Sequence, residues 1–315
     1  MKALVTWLDV PALASLLLAA MATSVLAEPA FRVEQQPGAL VIHSGDQLVA
    51  KYVYKDEQIT RPYFCDVHTP AGVQVTRNHP PQEGDLQDHA TYHPGIWMAF
   101  GDISGADSWR GKATVEHVEF VEEPAQARGI LTFTVRNRYW NAAHDAAVCD
   151  EVCQYFLVRT REVYFLTLES KFSSDHEFAF GDQEEMGLGV RLATPLIEKT
   201  GTGACITDSE FRTTASAVWG QASDWCDYSG VVDKKNVGVT VLSHPDNFRK
   251  PWWHARAYGL LVANPFGQKA FTKGKVSSVA VAPGKDLQLR YGIVIHDGRP
   301  GAGYDPRVAW EYYRK

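Results

Sequence analysis

The chain lacks any surplus of positive charge: 31 Lys and Arg stand against 37 Asp and Glu, a formal net charge of −6 over 315 residues. A nucleic-acid binder needs a basic face, so that class of partner is excluded first. Glycine and proline, at 25 and 16, are near average usage, which excludes collagen-like and low-complexity chains. Beyond the N-terminus there is no apolar run of ~18 residues, the length a membrane-spanning helix requires. Signatures of nucleotide binding and serine hydrolysis are missing too. No G-x-S-x-G, P-loop or G-x-G-x-x-G opening a helix occurs, and Gly187-Leu188-Gly189, followed by Val190-Arg191, fails the dinucleotide template. Helical periodicity is also scarce. Only Pro306 to Lys315 reads as a helix, capped by Asp305 with Pro306 at its first position.

What the chain does have is alternation with period two. Leu131, Phe133 and Val135 alternate with Thr132, Thr134 and Arg136, and Val237, Val239 and Val241 repeat the pattern. Leu287, Leu289, Tyr291, Ile293 and Ile295 give the cleanest case. Further strands are expected over 31–35, 38–43, 47–54, 62–68, 95–100, 151–159, 162–172, 188–193 and 254–263. Residues 112–121 alternate but slip by one between Val115 and Val118, the mark of a bulge. Asp233-Lys234-Lys235-Asn236 reads as a hairpin turn. A dozen or more strands with few helices, and no linker, predict one large all-β domain: an antiparallel β-sandwich or barrel. The 9 Trp, 13 Tyr and 14 Phe suit strands and sugar-stacking surfaces alike.

Residues 1–27 read as a secretory signal peptide. Lys2 precedes an almost wholly apolar Ala12–Ala22 stretch, and Val25-Leu26-Ala27 supplies the small residues of a cleavage site. The expected mature domain is 28–315, in the periplasm or outside the cell. Its cysteines, Cys65, Cys149, Cys153, Cys205 and Cys226, form no repeated C-x-x-C zinc pattern. On one extended strand Cys149 and Cys153 are ~13 Å apart, too far to bond each other, so buried free thiols are expected.

Four segments carry polar and aromatic residues that make poor core material: Arg61 to Pro70, Asn78 to Asp102, Gly181 to Arg191, and Ser243 to Gly267. His89 and His93 are four apart, a metal-site spacing on a helix. Pro80, Pro81 and Pro94 make a loop here, where His244, His254 or a carboxylate would have to complete the shell. The same histidines serve equally well as turn caps stacked on tryptophans. Glu184 and Glu185 are adjacent and on a strand point to opposite faces. Only one of them can enter a given cleft, where with Asp102 or Asp182 it would supply a general acid and base, and the same segment reads equally as a solvated turn. Asp227-Tyr228-Ser229-Gly230 and Trp252-Trp253-His254 place aromatics beside hydrogen-bonding groups, which suits a sugar or a sandwich core with buried hydroxyls.

Taken in order, Arg61-Pro62-Tyr63, His68-Thr69-Pro70, Asp88-His89 with His93, Gly95-Ile96-Trp97 with Gly101-Asp102, Glu185 with Gly187 to Arg191, Asp227 to Gly230, His244-Pro245, Trp253-His254 with Tyr258-Gly259, Asn264 to Gly267 and His296-Asp297-Gly298 are similar to a bacterial family. That family is labelled "PmoA family protein" or methane oxygenase PmoA, and otherwise described as a domain of unknown function. The resemblance runs over almost the whole mature chain. Many members carry a second histidine and an arginine in an Asp-His-Pro-His-His-Arg loop, where Tyr92 and Pro94 stand here. The resemblance implies a secreted β-sandwich of bacteria that degrade complex carbohydrate, and by fold analogy a mutarotase-like sandwich.

The leading expectation is a carbohydrate-active enzyme, hydrolase- or lyase-like, that cleaves or rearranges a glycoside by His and carboxylate acid–base chemistry. His93, His254, Glu185 and Asp102 are its acid–base candidates, and Arg61, Tyr63, Tyr228 and Trp253 its substrate contacts. One alternative is a metal-dependent oxidoreductase of the PmoA-labelled family, with one divalent ion held by His89, His93 and His244. The other is a non-catalytic sugar-binding sandwich.

Overall fold

In the computed structural model, which describes residues 30–200, 203–300 and 303–315, the alternating segments pair into two eight-stranded sheets. The predicted signal peptide lies outside the described residues. The first sheet runs, in spatial order, β1 (Phe31–Gln36), β2 (Ala39–Ser44), β3 (Gln47–Val53), β4 (Tyr63–Cys65), β5 (Ile96–Phe100), β11 (Met186–Arg191), β16 (Leu260–Asn264) and β15 (Trp252–Arg256). The second runs β12 (Cys205–Asp208), β13 (Trp225–Val232), β14 (Lys235–Ser243), β18 (Asp286–Asp297), β9 (Val163–Ser173), β8 (Ala147–Arg159), β7 (Ile130–Trp140) and β6 (Val115–Ala127). Every neighbouring pair within these two sheets is antiparallel. Two small ladders complete the set: β10 (Phe178–Phe180) with β17 (Val279–Val281), and β19 (Arg299–Pro300) with β20 (Gly303–Tyr304). The expected antiparallel β-sandwich is the fold.

Local chemistry sets the connections. Asp233 and Lys234 both have left-handed φ, 48° and 65°, which is what a two-residue hairpin turn between β13 and β14 requires. The expected slip near Val115 is a register shift between His117 and Glu119. The expected single strand over 254–263 is two strands. Its hydrophobic pattern continues through the break, but Tyr258-Gly259 reverses the chain, with Gly259 at φ 89°. The helix Pro306–Tyr313 forms as expected, and the Asp305 carboxylate accepts from the Arg307 backbone N–H at 2.9 Å.

Between the sheets the inward residues interlock. Tyr52 contacts Phe64, Phe133 and Tyr155 with ring centroids 4.8–5.4 Å apart. Burying each such ring stabilises the fold by roughly 1.5–3 kcal/mol in transfer terms. All five cysteines are free thiols, four of them buried and Cys205 exposed. Cys149 and Cys153 share the inward face of β8 and burial pushes both thiols up. Among the described residues no helix is long and apolar enough to cross a membrane.

A second apolar layer covers the outer face of the first sheet, and it positions the site. On β5, Ile96 and Phe100 enter the sandwich core while Trp97 and Ala99 face outward. The outward residues are nevertheless buried, packed with Tyr63, Trp109, Leu260 and Val262 under the loops before and after β5. The corresponding outer face of the second sheet is closed by the C-terminal segment, through Tyr304 and Tyr313.

A candidate acid–base site on the outer face of the first sheet

Two buried arginines fasten the covering loops. Arg77, 1% exposed, donates to the backbone carbonyls of Leu86, Asp88 and His93 at 2.8, 2.6 and 3.0 Å. Arg61 donates to Ser108 and Trp109 carbonyls, each at 3.0 Å, and to that of Tyr92. The expected role of Arg61 in holding substrate therefore gives way to a structural one, because its terminal nitrogens are committed to main chain. Its guanidinium also lies 5.7 Å over the Trp97 ring.

These fastenings place His93 and His89 one above the other. His93 is fully buried, stacks on Trp97 at 5.1 Å and 19°, and accepts from Trp109 Nε1 at Nε2, 3.2 Å away. Indole N–H is a donor only, so the His93 ring proton sits on Nδ1. Burial, reinforced by His89 and three arginines, pushes its pKa well below the ordinary value. Trp97 can lie flat because Gly189 beneath it has no side chain: a Cβ there would come 2.6 Å from the indole.

His89 stacks above His93 at 4.7 Å and beside Tyr258 at 5.6 Å, with Tyr92 edge-on at 5.2 Å. Its Nδ1 donates to Asp88 Oδ2 at 2.7 Å, which leaves Nε2 as the ring's acceptor. About a third of each of these two side chains is exposed, 31% for His89 and 34% for Asp88. The other Asp88 oxygen accepts from Arg191 Nη2 at 2.8 Å. Burial alone would raise the Asp88 carboxyl, but the hydrogen bonds from Arg191 and His89 hold it below its ordinary value. His89 has φ 54°, a backbone conformation uncommon outside glycine.

A second polar group lies on the same face. Register places His254, Val262, Gly189 and Trp97 in one row across the sheet, so His254 is three strands, roughly 14 Å, from Trp97. His254 Nδ1 donates to the Glu184 carbonyl at 2.9 Å, and its Nε2 lies 3.7 Å from Glu184 Oε2. Burial first, then Arg256, pushes the His254 pKa down to about 4, so its ring is neutral at pH 7. Arg256 donates to Glu184 Oε2 at 2.8 Å. Tyr258, stacked on His89, also has the Arg191 guanidinium 4.7 Å over its ring.

The remaining expected site residues take other places. Glu185 is ion-paired with Arg110 on the same face. Asp102 shapes a turn, its Oδ1 accepting from Gly105 N at 2.9 Å. Tyr63 is buried and donates to Asp56 Oδ2 at 2.7 Å. Tyr228 and Trp253 point into the sandwich core, since strand alternation turns them inward. The Tyr228 hydroxyl accepts from Glu198 N at 2.8 Å, and Trp253 Nε1 donates to Ser223 Oγ at 2.7 Å. Neither presents a surface to a ligand on the outer face. His244 packs edge-on against Tyr313 at 5.3 Å, beside the C-terminal helix and away from His89 and His93. The expected His89, His93 and His244 ligand set is thus not brought together. Among the described residues no group of three or more His, Cys, Asp or Glu side chains is arranged to hold a metal ion.

Asp88, Arg191, Arg77, Glu184 and Tyr258 were not among the expected site residues. For Asp88 the available signal was a carboxylate directly beside a histidine in a proline-flanked loop. Arg191 fell within a segment singled out for its polar residues, but neither it nor Arg77, outside the strands, gave a clue to its burial.

A model described as a family of unknown function, DUF6807, matches residues 39–304. Nothing in that match links the chain to the PmoA label. No curated protein matches. Among solved structures, a galactose mutarotase related enzyme from Lactobacillus acidophilus is similar at 10% identity and TM-score 0.38, covering 84% of this chain and 97% of that one. A galactose mutarotase-like protein from Clostridium acetobutylicum gives 10% identity and TM-score 0.40, covering 86% and 99%. The alpha-galactosidase from Lactobacillus brevis gives 7% identity and TM-score 0.43, and the similar region covers 84% of this chain but 39% of that one.

Proposed function

The chain belongs to the family of unknown function DUF6807, and we propose that it is an enzyme acting on a carbohydrate through His and carboxylate acid–base chemistry. One observation carries this reading. Asp88 holds His89 by Nδ1 and leaves Nε2 at the partly exposed rim, between the rings of Tyr92 and Tyr258. An imidazole oriented by a carboxylate is built to take a proton and keep it briefly, because the imidazolium that forms is stabilised where it stands. The flanking tyrosines supply faces on which the apolar side of a sugar ring stacks, while the polar groups meet its hydroxyls.

In this reading His89 Nε2 takes the proton from the reacting position and returns it in the second half of the reaction. Asp88 and Arg191 fix the geometry. His254 lies on the same face, but its Nδ1 is held by the Glu184 carbonyl and its Nε2 is buried, so the proton transfer is assigned to His89 alone. A non-catalytic sugar-binding sandwich would have no use for the paired carboxylate. The metal-dependent alternative lacks support, since His244 lies away from the stacked His89 and His93. We further place the mature protein in the periplasm or outside the cell, on the strength of residues 1–27; N-terminal sequencing of exported protein should begin near Glu28.

The test is a saccharide screen read by proton NMR, which follows both anomer exchange and bond cleavage, on wild type and His89→Gln. Turnover lost on the order of 10²–10⁴-fold in the variant supports the reading. Equal turnover in both, or binding without turnover in wild type, removes it.

A further inference from the structure

Beneath the Asp88–His89 pair lies a group of buried donors with nothing to donate to. Arg191 is 1% exposed, and among the described residues its side chain makes one hydrogen bond, from Nη2 to Asp88. Its Nε and Nη1 are buried without a partner among the described residues. Arg61 and Arg77 commit their terminal nitrogens to backbone carbonyls and leave only Nε unpartnered among the described residues, whereas Arg191 leaves a terminal nitrogen as well. His93 Nδ1 is likewise buried and unpartnered, and the Trp109 indole fixes the proton on that nitrogen. The orphaned atoms on Arg191 and His93 are therefore all donors. An unpaired guanidinium N–H in the interior is expensive, since a buried polar group left unbonded carries its full desolvation penalty.

The charge around them points the same way. After burial, the charges that weigh most on His93 are those of His89, Arg191, Arg61 and Arg77. Asp88 turns its two oxygens to His89 and Arg191. Tyr258 lies over the Arg191 guanidinium at 4.7 Å, and the His89 ring stacks on both Tyr258 and His93.

We propose that Arg191 and His93 form an anion site under the Asp88–His89 pair, and that it takes the carboxylate of an acidic sugar such as a uronic acid. This rests on the carbohydrate reading above and names its substrate class. A carboxylate is an acceptor only, the complement of the orphaned N–H groups of Arg191 and His93. A neutral hydroxymethyl group would bring a donor of its own into a field of donors. The carboxylate would fix the sugar ring by one edge and so hold its reacting positions against His89 Nε2.

Calorimetric titration of the mature protein with sodium D-glucuronate, D-glucuronamide and sodium acetate, at one ionic strength, tests this. The amide has the shape of glucuronate without its charge. Glucuronate is expected to bind at least tenfold more tightly than the amide. Arg191→Met is expected to reduce that ratio to near one, and the wild-type comparison stands even if the variant does not fold. Equal affinity for the acid and the amide in wild type overturns the inference and leaves the sugar reading standing. Acetate binding while neither sugar binds upholds the anion site and overturns its assignment to a uronic acid. Binding of none of the three overturns the inference and leaves the sugar reading to the saccharide screen.

Discussion

Asp88 and His89 are sequence neighbours whose side chains close on each other, Oδ2 to Nδ1 at 2.7 Å. Successive residues of an extended chain point to opposite sides, so this contact requires the backbone to turn between them. The left-handed φ of 54° at His89 supplies the turn. Such a conformation in a non-glycine residue costs of order 1 kcal/mol or more and persists where the surroundings hold it. Here Arg77 holds the Asp88 carbonyl and Arg191 the carboxylate.

The pair therefore gives a sharp prediction. Asp88→Asn keeps the shape but can no longer stabilise an imidazolium, so turnover on the saccharide identified by screening should fall by ~10²–10⁴-fold. Ground-state sugar affinity, measured by titration, should change far less. Parallel loss of affinity and turnover would mean that Asp88 only shapes the loop.

His254 predicts a pH dependence of stability. Its folded pKa of about 4 lies below the ordinary 6.5, so the unfolded chain binds the proton more readily. The stabilising contribution is complete above pH 6.5 and is lost as pH falls towards 4. A gap of this size corresponds to about 3 kcal/mol. His254→Gln should therefore gain on wild type, by denaturant unfolding, as pH is lowered from 6.5 to 4. His93 and His79 are shifted in the same direction, but they are present in both proteins and drop out of the difference. A difference that does not vary with pH would show that His254 titrates normally.

Much of the fold was legible because a half-buried strand writes its period into the sequence, as β7 does with Leu131, Phe133 and Val135 buried and Thr132 and Arg136 partly exposed. Legibility ended where both faces of a strand are buried. β11 and β16 are buried at every position, so their residues carry no alternation. Residues 254–263 thus read as one strand across the Tyr258-Gly259 reversal. The site was partly legible. His89, His93 and His254 stood out as chemistry-bearing residues, and all three do lie on one face. Which of them meets a carboxylate depended on φ at His89 and on a fastening by Arg77 and Arg191, and neither is local. Tyr228 and Trp253 looked like sugar contacts because aromatic content cannot tell a core ring from a rim ring. Only strand parity, fixed by pairing, turns them inward.

Glu151 predicts the opposite pH trend to His254. Its carboxyl is 3% exposed within the sandwich, accepting from Ser170 Oγ at 2.6 Å and Asn137 Nδ2 at 3.0 Å. It borders a cavity of about 20 Å³ between the sheets, space for a single water. Burial raises its pKa, outweighing the bonds from Asn137 and Ser170. A raised folded pKa favours the native state at low pH, and that advantage is lost as pH rises from about 4.5 through the folded value. Glu151→Gln, a neutral isostere, should gain on wild type over that rise and then hold a constant difference. Thermal unfolding of the pair from pH 4 to 9 measures it. A variant that is uniformly less stable would show that the carboxyl's bonds matter and its ionisation does not.

Gly189 links the sheet to the site most directly. Its missing Cβ is the space in which the Trp97 indole lies, and Trp97 is the surface on which His93 stacks. Gly189→Ala puts a methyl group 2.6 Å from that ring. The conflict can be relieved only by lifting Trp97 into His93 or by bending β11, which is paired on both sides. Overpacking of this kind costs ~1–3 kcal/mol. The expected fall in Tm is several degrees, at roughly 2–4 °C per kcal/mol for a chain approaching this size. Trp97→Phe alone should also destabilise, by loss of buried area. Combined with Gly189→Ala it should cost less than the two single changes added, because the smaller ring vacates the contact. Such coupling is expected between residues in contact and vanishes between independent ones. Strict additivity in the double variant would therefore separate Gly189 from Trp97 and show that the methyl group is accommodated elsewhere.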